Sequence, residues 1–268
     1  MRYEPIKEKI GSAIGTSRSL RKLYYLCLGI LLLRAWHVKR AIKKIFRERK
    51  FQRVLDAGCG PGQYSYYISR KFKSKVTGVD IIKEEVDKSN RFAQDEKLSG
   101  AIFKVADLSS SDLSELSGAK YDLIISVDVM EHIKDDVAVF RNFATLLNNS
   151  GTVLISTPTA GNDHDHEEHS FIDEHFRSGY TPEDISEKLT AAGLKVENIS
   201  FIYGFGGSIY WKLSMKIPIT LLNKSYLYFA LLPFYYVVAF PISLVFMAMD
   251  YYFPPKGGGG LLVVARKA

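Results

Sequence analysis

An α/β fold built on a parallel sheet is predicted by three features of the sequence. Short β-branched runs alternate with polar helical stretches between Phe51 and Thr157, a turn with glycine at alternate positions follows the first run, and acidic residues close the next two. With 268 residues and 47% hydrophobic content, the chain is long enough to bury a full α/β core as one domain with additions.

The first 50 residues hold 14 Lys/Arg against 3 Asp/Glu, while the whole chain holds 36 against 29, so the formal charge of +7 is an N-terminal feature. Residues 23–33 read LYYLCLGILLL, 11 residues and too short to span a bilayer. The basic stretch that follows lacks a small-residue cleavage site and reads as a continuing amphipathic helix that is retained. Residues 1–50 therefore form a basic amphipathic helical segment. Cys27 and Cys59 lie in unlike contexts without CxxC spacing, which suggests neither a disulfide framework nor a zinc site and fits a reducing cytoplasm.

The core is assigned to residues 51–203. Its strands are RVLDA, KVTGVD, AIFKVAD, YDLIISV and GTVLIST, with helices expected at about 63–72, 83–97 and 135–147. A further helix starts at Thr181, where an N-cap, Pro182 and two acids stand in order, and ends at Gly193 before the strand LKVENISFIYG. Residues 204–259 form a hydrophobic insertion, and LLVVARKA from about residue 260 is the last strand.

Gly58, Gly60 and Gly62 in VLDAGCGPGQY lie directly after a strand and before a helix, where backbone N–H groups must approach a ligand without an intervening Cβ. Asp56 and Cys59 belong to the same turn. Asp80 ends the second strand, placed to accept both hydroxyl protons of a ribose, with Ile81 beside it to flank an adenine. Asp107, next to Leu108, ends the third strand at the height of the adenine amino group, and Val127 ends the fourth. Strand-end acids also serve as loop residues or helix caps, yet two at successive strand ends point to a nucleotide.

These motifs resemble those of the class I S-adenosylmethionine-dependent methyltransferases. LDAGCGPG looks like the superfamily's glycine motif, VTGVD its acidic motif and Ala106-Asp107 its third, and the resemblance runs from Arg53 to Thr157. It implies S-adenosylmethionine as cofactor and a Rossmann-like, seven-stranded, mostly parallel sheet whose last strand is antiparallel. A nicotinamide dehydrogenase fits less well, because the glycines follow GxGxG and no Tyr-x-x-x-Lys pair follows the core.

Nucleic-acid amino-methyltransferases of the superfamily carry Asn/Asp-Pro-Pro-aromatic after the fourth strand. Here Ser126-Val127-Asp128-Val129 stands there, and no nucleic acid partner is expected. Asp128, Glu131 and His132 are similar to the Glu-x-x-Glu-His of ubiquinone-pathway O-methyltransferases, which implies a general base at His132 or a divalent metal held by the three. Asp for the first Glu shortens that ligand by one methylene, and the same residues also read as the start of a helix. His164, His166, His169 and His175 read as a solvated lid rather than a zinc site. His175-Phe176-Arg177 before Tyr180-Thr181-Pro182 resembles an acceptor-lining stretch of small-molecule methyltransferases, which makes His169 and His175 secondary candidates.

Between 201 and 249 there are three lysines and no acid, and from 225 to 249 no charge. That run is long enough to cross a bilayer, but a strand must rejoin the sheet afterwards. The insertion is therefore expected to dip in and return, broken at Pro233 and Pro241, or to lie along the interface with its tyrosines at head-group depth. A cap on the enzyme's own core or on a second subunit is the other reading. The expected partners are a membrane surface and a hydrophobic small-molecule or lipid acceptor, such as a prenylated quinone precursor or a polyene, methylated at a hydroxyl or, as the second choice, at carbon. A non-catalytic cofactor-binding membrane scaffold and an RNA methyltransferase are the alternatives. Metal use and oligomeric state are left open.

Overall fold

The computed structural model describes residues 17–113, 116, 118, 120–160 and 176–268. The lid histidines at 164, 166, 169 and 175 lie outside the described residues.

Seven strands form one sheet: β1 (Arg53–Ala57), β2 (Lys75–Asp80), β3 (Ala101–Val105), β4 (Tyr121–Val127), β5 (Leu147–Pro158), β6 (Leu194–Ile202) and β7 (Gly260–Lys267). Their order is β3-β2-β1-β4-β5-β7-β6, with β7 antiparallel to both neighbours and the strands β1 to β5 parallel. This is the Rossmann-like arrangement that the resemblance implies.

Helices cover both faces because the strands, buried on both sides, carry apolar residues at consecutive positions. On one face Leu55, Ile124, Val153 and Val263 meet Phe140 and Phe143 of α5 (Asp136–Leu146) and Leu189 of α6 (Pro182–Ala191). On the other, Val54, Val76, Leu123 and Leu154 meet Tyr64 and Ile68 of α3 (Gln63–Phe72) and Val38, Ile42 and Ile45 of α2 (Leu33–Glu48). Helix α4 (Lys83–Asp95) covers the edge near β3. The Thr181 cap is formed: its hydroxyl accepts from the Asp184 N–H at 3.1 Å.

Where one N-terminal helix is expected, the structure has two, α1 (Arg18–Leu31) and α2, broken at Leu32 in an extended conformation. The carbonyls freed at the end of α1 find other donors, Trp36 Nε1 on Ile30 O at 3.1 Å and the Tyr210 hydroxyl on Leu31 O at 2.6 Å. The break lets the two apolar stripes do different things. That of α2 packs on the sheet, while Leu20, Leu23, Leu26 and Ile30 of α1 remain exposed.

The insertion is a helical hairpin. The chain goes out through α7 (Phe205–Trp211), a π turn at Lys212–Lys216 and α8 (Ile217–Lys224), turns through a 3₁₀ segment at Tyr226–Leu231, and returns along α9 (Leu232–Tyr252). The arms are tied by Ser214 and Ser243 hydroxyls 2.9 Å apart and by Tyr235 and Tyr236 hydroxyls donating to Leu213 O and Ser214 O. Gly206 and Gly207 let them approach, since a Cβ on Gly206 would lie 2.6 Å from Phe246 O. Pro233 does begin a helix, but Pro241 sits inside α9 without ending it, and the reversal falls in the 3₁₀ segment.

Asp250 bolts the returning arm to the core. Its carboxylate accepts the N–H groups of Gly204 at 2.7 Å and Gly207 at 3.0 Å, and lies 2.9 Å from His37 Nε2 on α2. Arg40, which can only donate, stands 3.1 Å from His37 Nδ1, so the ring proton belongs on Nε2, facing Asp250. Burial alone would push the Asp250 carboxyl up, but His37 and the two glycine N–H groups together hold it below its ordinary value.

Candidate active site

The glycine turn sits at the carboxyl end of β1. Gly58, Gly60 and Gly62 all have positive φ, at 74°, 48° and 80°, where a side chain is strained. The Gly58 and Cys59 N–H groups donate to Val79 O, and Gly62 N–H to Cys59 O, which closes the loop. A Cβ on Gly58 would strike Val129 at 2.3 Å, whereas one on Gly60 would meet nothing within 4 Å. The turn is thus packed from beneath at Gly58 and opens to a ligand at Gly60.

Asp56 is 2% exposed, and one carboxylate oxygen accepts both the N–H and the hydroxyl of Ser65, at 2.9 and 2.6 Å, capping the first turn of α3. Burial pushes its carboxyl up to about 6, against the pull of the Ser65 donors. Cys59 turns its side chain into a cluster with Val86, Ala101 and Phe103, and burial pushes its thiol up. Both residues frame the turn, and Cys59 presents no thiol to a ligand.

Asp80 accepts from Gly60 N–H at 2.8 Å and from Ile82 N–H at 3.0 Å, so one carboxylate joins the glycine turn to the β2–α4 loop. Ile81 beside it is 67% exposed, an apolar face open to a flat ring. Asp107 is exposed and fixes its own loop by accepting from the Ser109 N–H and hydroxyl at 2.8 and 2.7 Å, while Leu108 is buried in the core. The glycine turn, Asp80, exposed Ile81 and Asp107 lie at successive strand ends, and the open space at Gly60 fits S-adenosylmethionine.

Beyond β4 the three acceptor-side residues separate. Asp128, in a left-handed conformation at φ 56°, pairs with Arg34 of α2. Glu131 is 1% exposed and accepts from the Thr157 hydroxyl at 3.2 Å. His132 is exposed at the end of the 3₁₀ turn Met130–His132. Each carboxylate has its own partner, and among the described residues no group of three or more His, Cys, Asp and Glu is gathered to hold a metal. Arg177 bonds Asp136 and the carbonyls of Ile133 and Lys134, and the Tyr180 hydroxyl donates to Met130 O and Asp136, at 3.0 and 2.8 Å. Both residues brace the turn that carries His132.

Residues 31–199 match a family described as a methyltransferase domain. The chain belongs to that family. It is 36% identical over 108 residues to phosphoethanolamine N-methyltransferase 1 of Triticum aestivum, a match covering 39% of this chain and 20% of the relative. It is 30% identical over 106 residues to the ubiquinone biosynthesis O-methyltransferase of Aeromonas salmonicida, covering 40% and 43%. The chain thus aligns with less than half the length of these curated relatives. A solved structure, a putative sarcosine dimethylglycine methyltransferase from Galdieria sulphuraria, shares the fold with a TM-score of 0.57 at 16% identity, covering 88% of this chain and 84% of that one.

In this member of the family the N-terminal segment supplies contacts at the glycine turn that the sequence reading missed. Arg21, 3% exposed, donates to Pro61 O in the glycine turn at 2.7 Å, to Lys88 O at 2.7 Å and to the Ser89 hydroxyl at 2.8 Å. The Tyr25 hydroxyl also donates to Pro61 O, and burial pushes it up to about 12. Arg34 reaches Asp128 and stacks 5.6 Å from the Tyr203 ring centroid. All lie in the stretch read as one basic amphipathic helix. The i, i+4 spacing of Arg21 and Tyr25, which places both on one face of α1, was the available signal.

Proposed function

We propose that the protein transfers a methyl group from S-adenosylmethionine to a hydroxyl of a hydrophobic, lipid-soluble acceptor while docked on the cytoplasmic surface of a membrane without crossing it. The observation that carries this reading is the two-faced character of α1. Arg21 and Tyr25 hold one face on the glycine turn, while Leu20, Leu23, Leu26 and Ile30 leave the other apolar and exposed beside the hairpin. Cofactor turn and apolar surface are thus parts of one rigid contact.

Bound S-adenosylmethionine supplies an electrophilic methyl on a sulfonium, open to in-line displacement by the acceptor oxygen. Asp80 would hold the ribose hydroxyls, Ile81 would lie against the adenine and Asp107 would accept from its amino group. Positioning supplies roughly 7–11 kcal/mol of the barrier, and a base adds roughly 10²- to 10⁴-fold. His132, exposed beside the strand ends, takes the acceptor proton.

Register supports docking without a net crossing. The chain leaves the sheet at Ile202 and re-enters it opposite, at Gly260, so both ends of the insertion stay on one side. The stretch Tyr228–Tyr252, with mean hydropathy 2.0, is the one described helix long and apolar enough to span a bilayer. It is instead the returning arm of the hairpin.

The test is transfer of labelled methyl from S-adenosylmethionine into a solvent-extractable product, with the full chain on vesicles and alkylphenols as acceptors. His132→Ala should lower turnover roughly 10²- to 10⁴-fold and leave cofactor affinity unchanged. Activity abolished by EDTA and restored by Mg²⁺ would give Asp128, Glu131 and His132 the metal role instead. No transfer from a protein that binds cofactor would leave the scaffold reading.

A further inference from the structure

Between α1 and the hairpin lies a cavity of about 720 Å³, lined by Tyr24, Cys27, Leu28 and Leu31 on one side and by Met215, Tyr236 and Phe240 on the other. Its size falls in the range of about 300–1,000 Å³ typical of small-molecule sites. No charged side chain lines it. Leu32 and Tyr210 also line it, and two residues on from Leu32 stands Arg34, whose guanidinium meets Asp128 at the end of β4. Tyr203, under that guanidinium, lies with its ring centroid 6.3 Å from that of Tyr210. The cavity and the acceptor side of the active site are therefore joined through Leu32–Arg34 and the Tyr203–Tyr210 pair.

We infer that this cavity holds the hydrocarbon tail of the acceptor, so that a chain-bearing hydroxyl compound enters from the bilayer tail-first and presents its head beside Asp128 and His132. The inference rests on the proposed membrane-docked methyltransferase. Two further observations favour a lipid-borne occupant over a protein partner. The apolar side chains flanking the cavity, Leu23 and Leu26 on α1 and Phe234 and Val238 on α9, are all at least half exposed and present a surface that hydrocarbon would cover. The insertion also carries lysines at 212, 216 and 224 with no acid between 201 and 249, a charge suited to anionic head groups. A chain seated in the cavity gains about fourfold in affinity per buried methylene, equivalent to ~0.8 kcal/mol.

Cys27 supplies a native probe. It is half-buried on the cavity wall, whereas the other cysteine, Cys59, is buried in the core. The full chain on phosphatidylcholine/phosphatidylglycerol vesicles is alkylated with N-ethylmaleimide, and modification of Cys27 is followed by mass spectrometry with 4-dodecylphenol, 4-ethylphenol or no addition. Dodecylphenol should slow alkylation tenfold or more, and ethylphenol should not. Val237→Trp, which fills the cavity from the opposite wall, should abolish the chain-length difference while cofactor affinity by calorimetry stays within twofold. Equal rates with both phenols, or protection undiminished in the Val237→Trp protein, would overturn the tail site. Full protection by the vesicles alone would overturn it in favour of ordinary bilayer lipid. Chain-length protection in a protein that fails to bind S-adenosylmethionine would sink the methyltransferase reading and leave the tail site standing.

Discussion

At the carboxyl ends of β1 and β2 polar groups are drawn inward and answered, whereas along α1 and α9 apolar groups are turned outward. Asp56 is buried against two donors of Ser65, and Asp80 takes two backbone N–H groups. On the hairpin, Phe234, Val237, Val238 and Val245 are each about two-thirds exposed or more. Leaving such side chains in water forgoes about 1.5–3 kcal/mol apiece. One half of the molecule is finished by its own atoms, whereas the other leaves apolar side chains uncovered. Asp250 marks the boundary, a carboxylate at the end of the apolar arm that is buried and bonded like those of the sheet half.

The largest effect expected of a single change is at that boundary. Asp250→Ala leaves the Gly204 and Gly207 N–H groups and His37 Nε2 without their acceptor, and should cost about 3–5 kcal/mol. Urea unfolding measures it, and limited proteolysis should show the hairpin cut before the sheet. A loss below about 1 kcal/mol would mean that the hairpin is held by its apolar contacts alone.

Asp56 sharpens the other side of the comparison through pH. Its folded value of about 6 lies above the ordinary 3.8, so the folded state holds the proton more tightly. The stability this contributes is complete below about pH 4 and is lost as pH rises through 6, a change on the order of 3 kcal/mol. Asn at this position can still accept from Ser65 but does not titrate. The stability of Asp56→Asn relative to the native protein should therefore rise between pH 4 and pH 7, which urea midpoints at the two pH values would show. A difference independent of pH would mean that the carboxylate is not desolvated.

Asp80→Ala tests the ligand-facing part of the same half. Loss of its hydrogen bonds to a ribose should weaken S-adenosylmethionine binding by about 1.5–3 kcal/mol, roughly 10- to 150-fold, measured by calorimetry. Unchanged affinity would move the ribose contact elsewhere.

The two halves also differed in how far they could be read from sequence. Strands, the order of helices and the glycine turn were legible because each rests on local chemistry: β-branched runs, positive φ at Gly58, Gly60 and Gly62, and the Thr181 cap. Asp56 and Cys59 could be placed at the turn, but not the direction of their side chains, which packing against Ser65 and Phe103 decides. The break at Leu32 carries no Gly or Pro, and Leu33 just beyond it is buried against Tyr210 and Met247, which lie far away in sequence. Arg34 and Asp128 lie far apart in sequence, and their pairing comes from tertiary structure, so a reading that took Asp128 as a ligand could not see its partner. In the hairpin, the strand that must rejoin the sheet foretold a turn-back, yet Pro241 proved compatible with a continuous α9.

The contrast between the halves stands or falls on what covers the apolar one. The decisive measurement is flotation of the full-length protein with phosphatidylcholine/phosphatidylglycerol vesicles at low salt and at 1 M salt, beside a variant carrying Phe234→Glu and Val238→Glu. Charge pairing at the basic segment is screened within about 3 Å at 1 M salt, whereas apolar burial is not. The native protein should stay with the vesicles at both salt concentrations, and the variant should lose on the order of 100-fold in affinity and be released at high salt. A native protein that leaves the vesicles at 1 M salt, or a variant that stays as firmly bound as the native chain, would contradict docking through the hairpin.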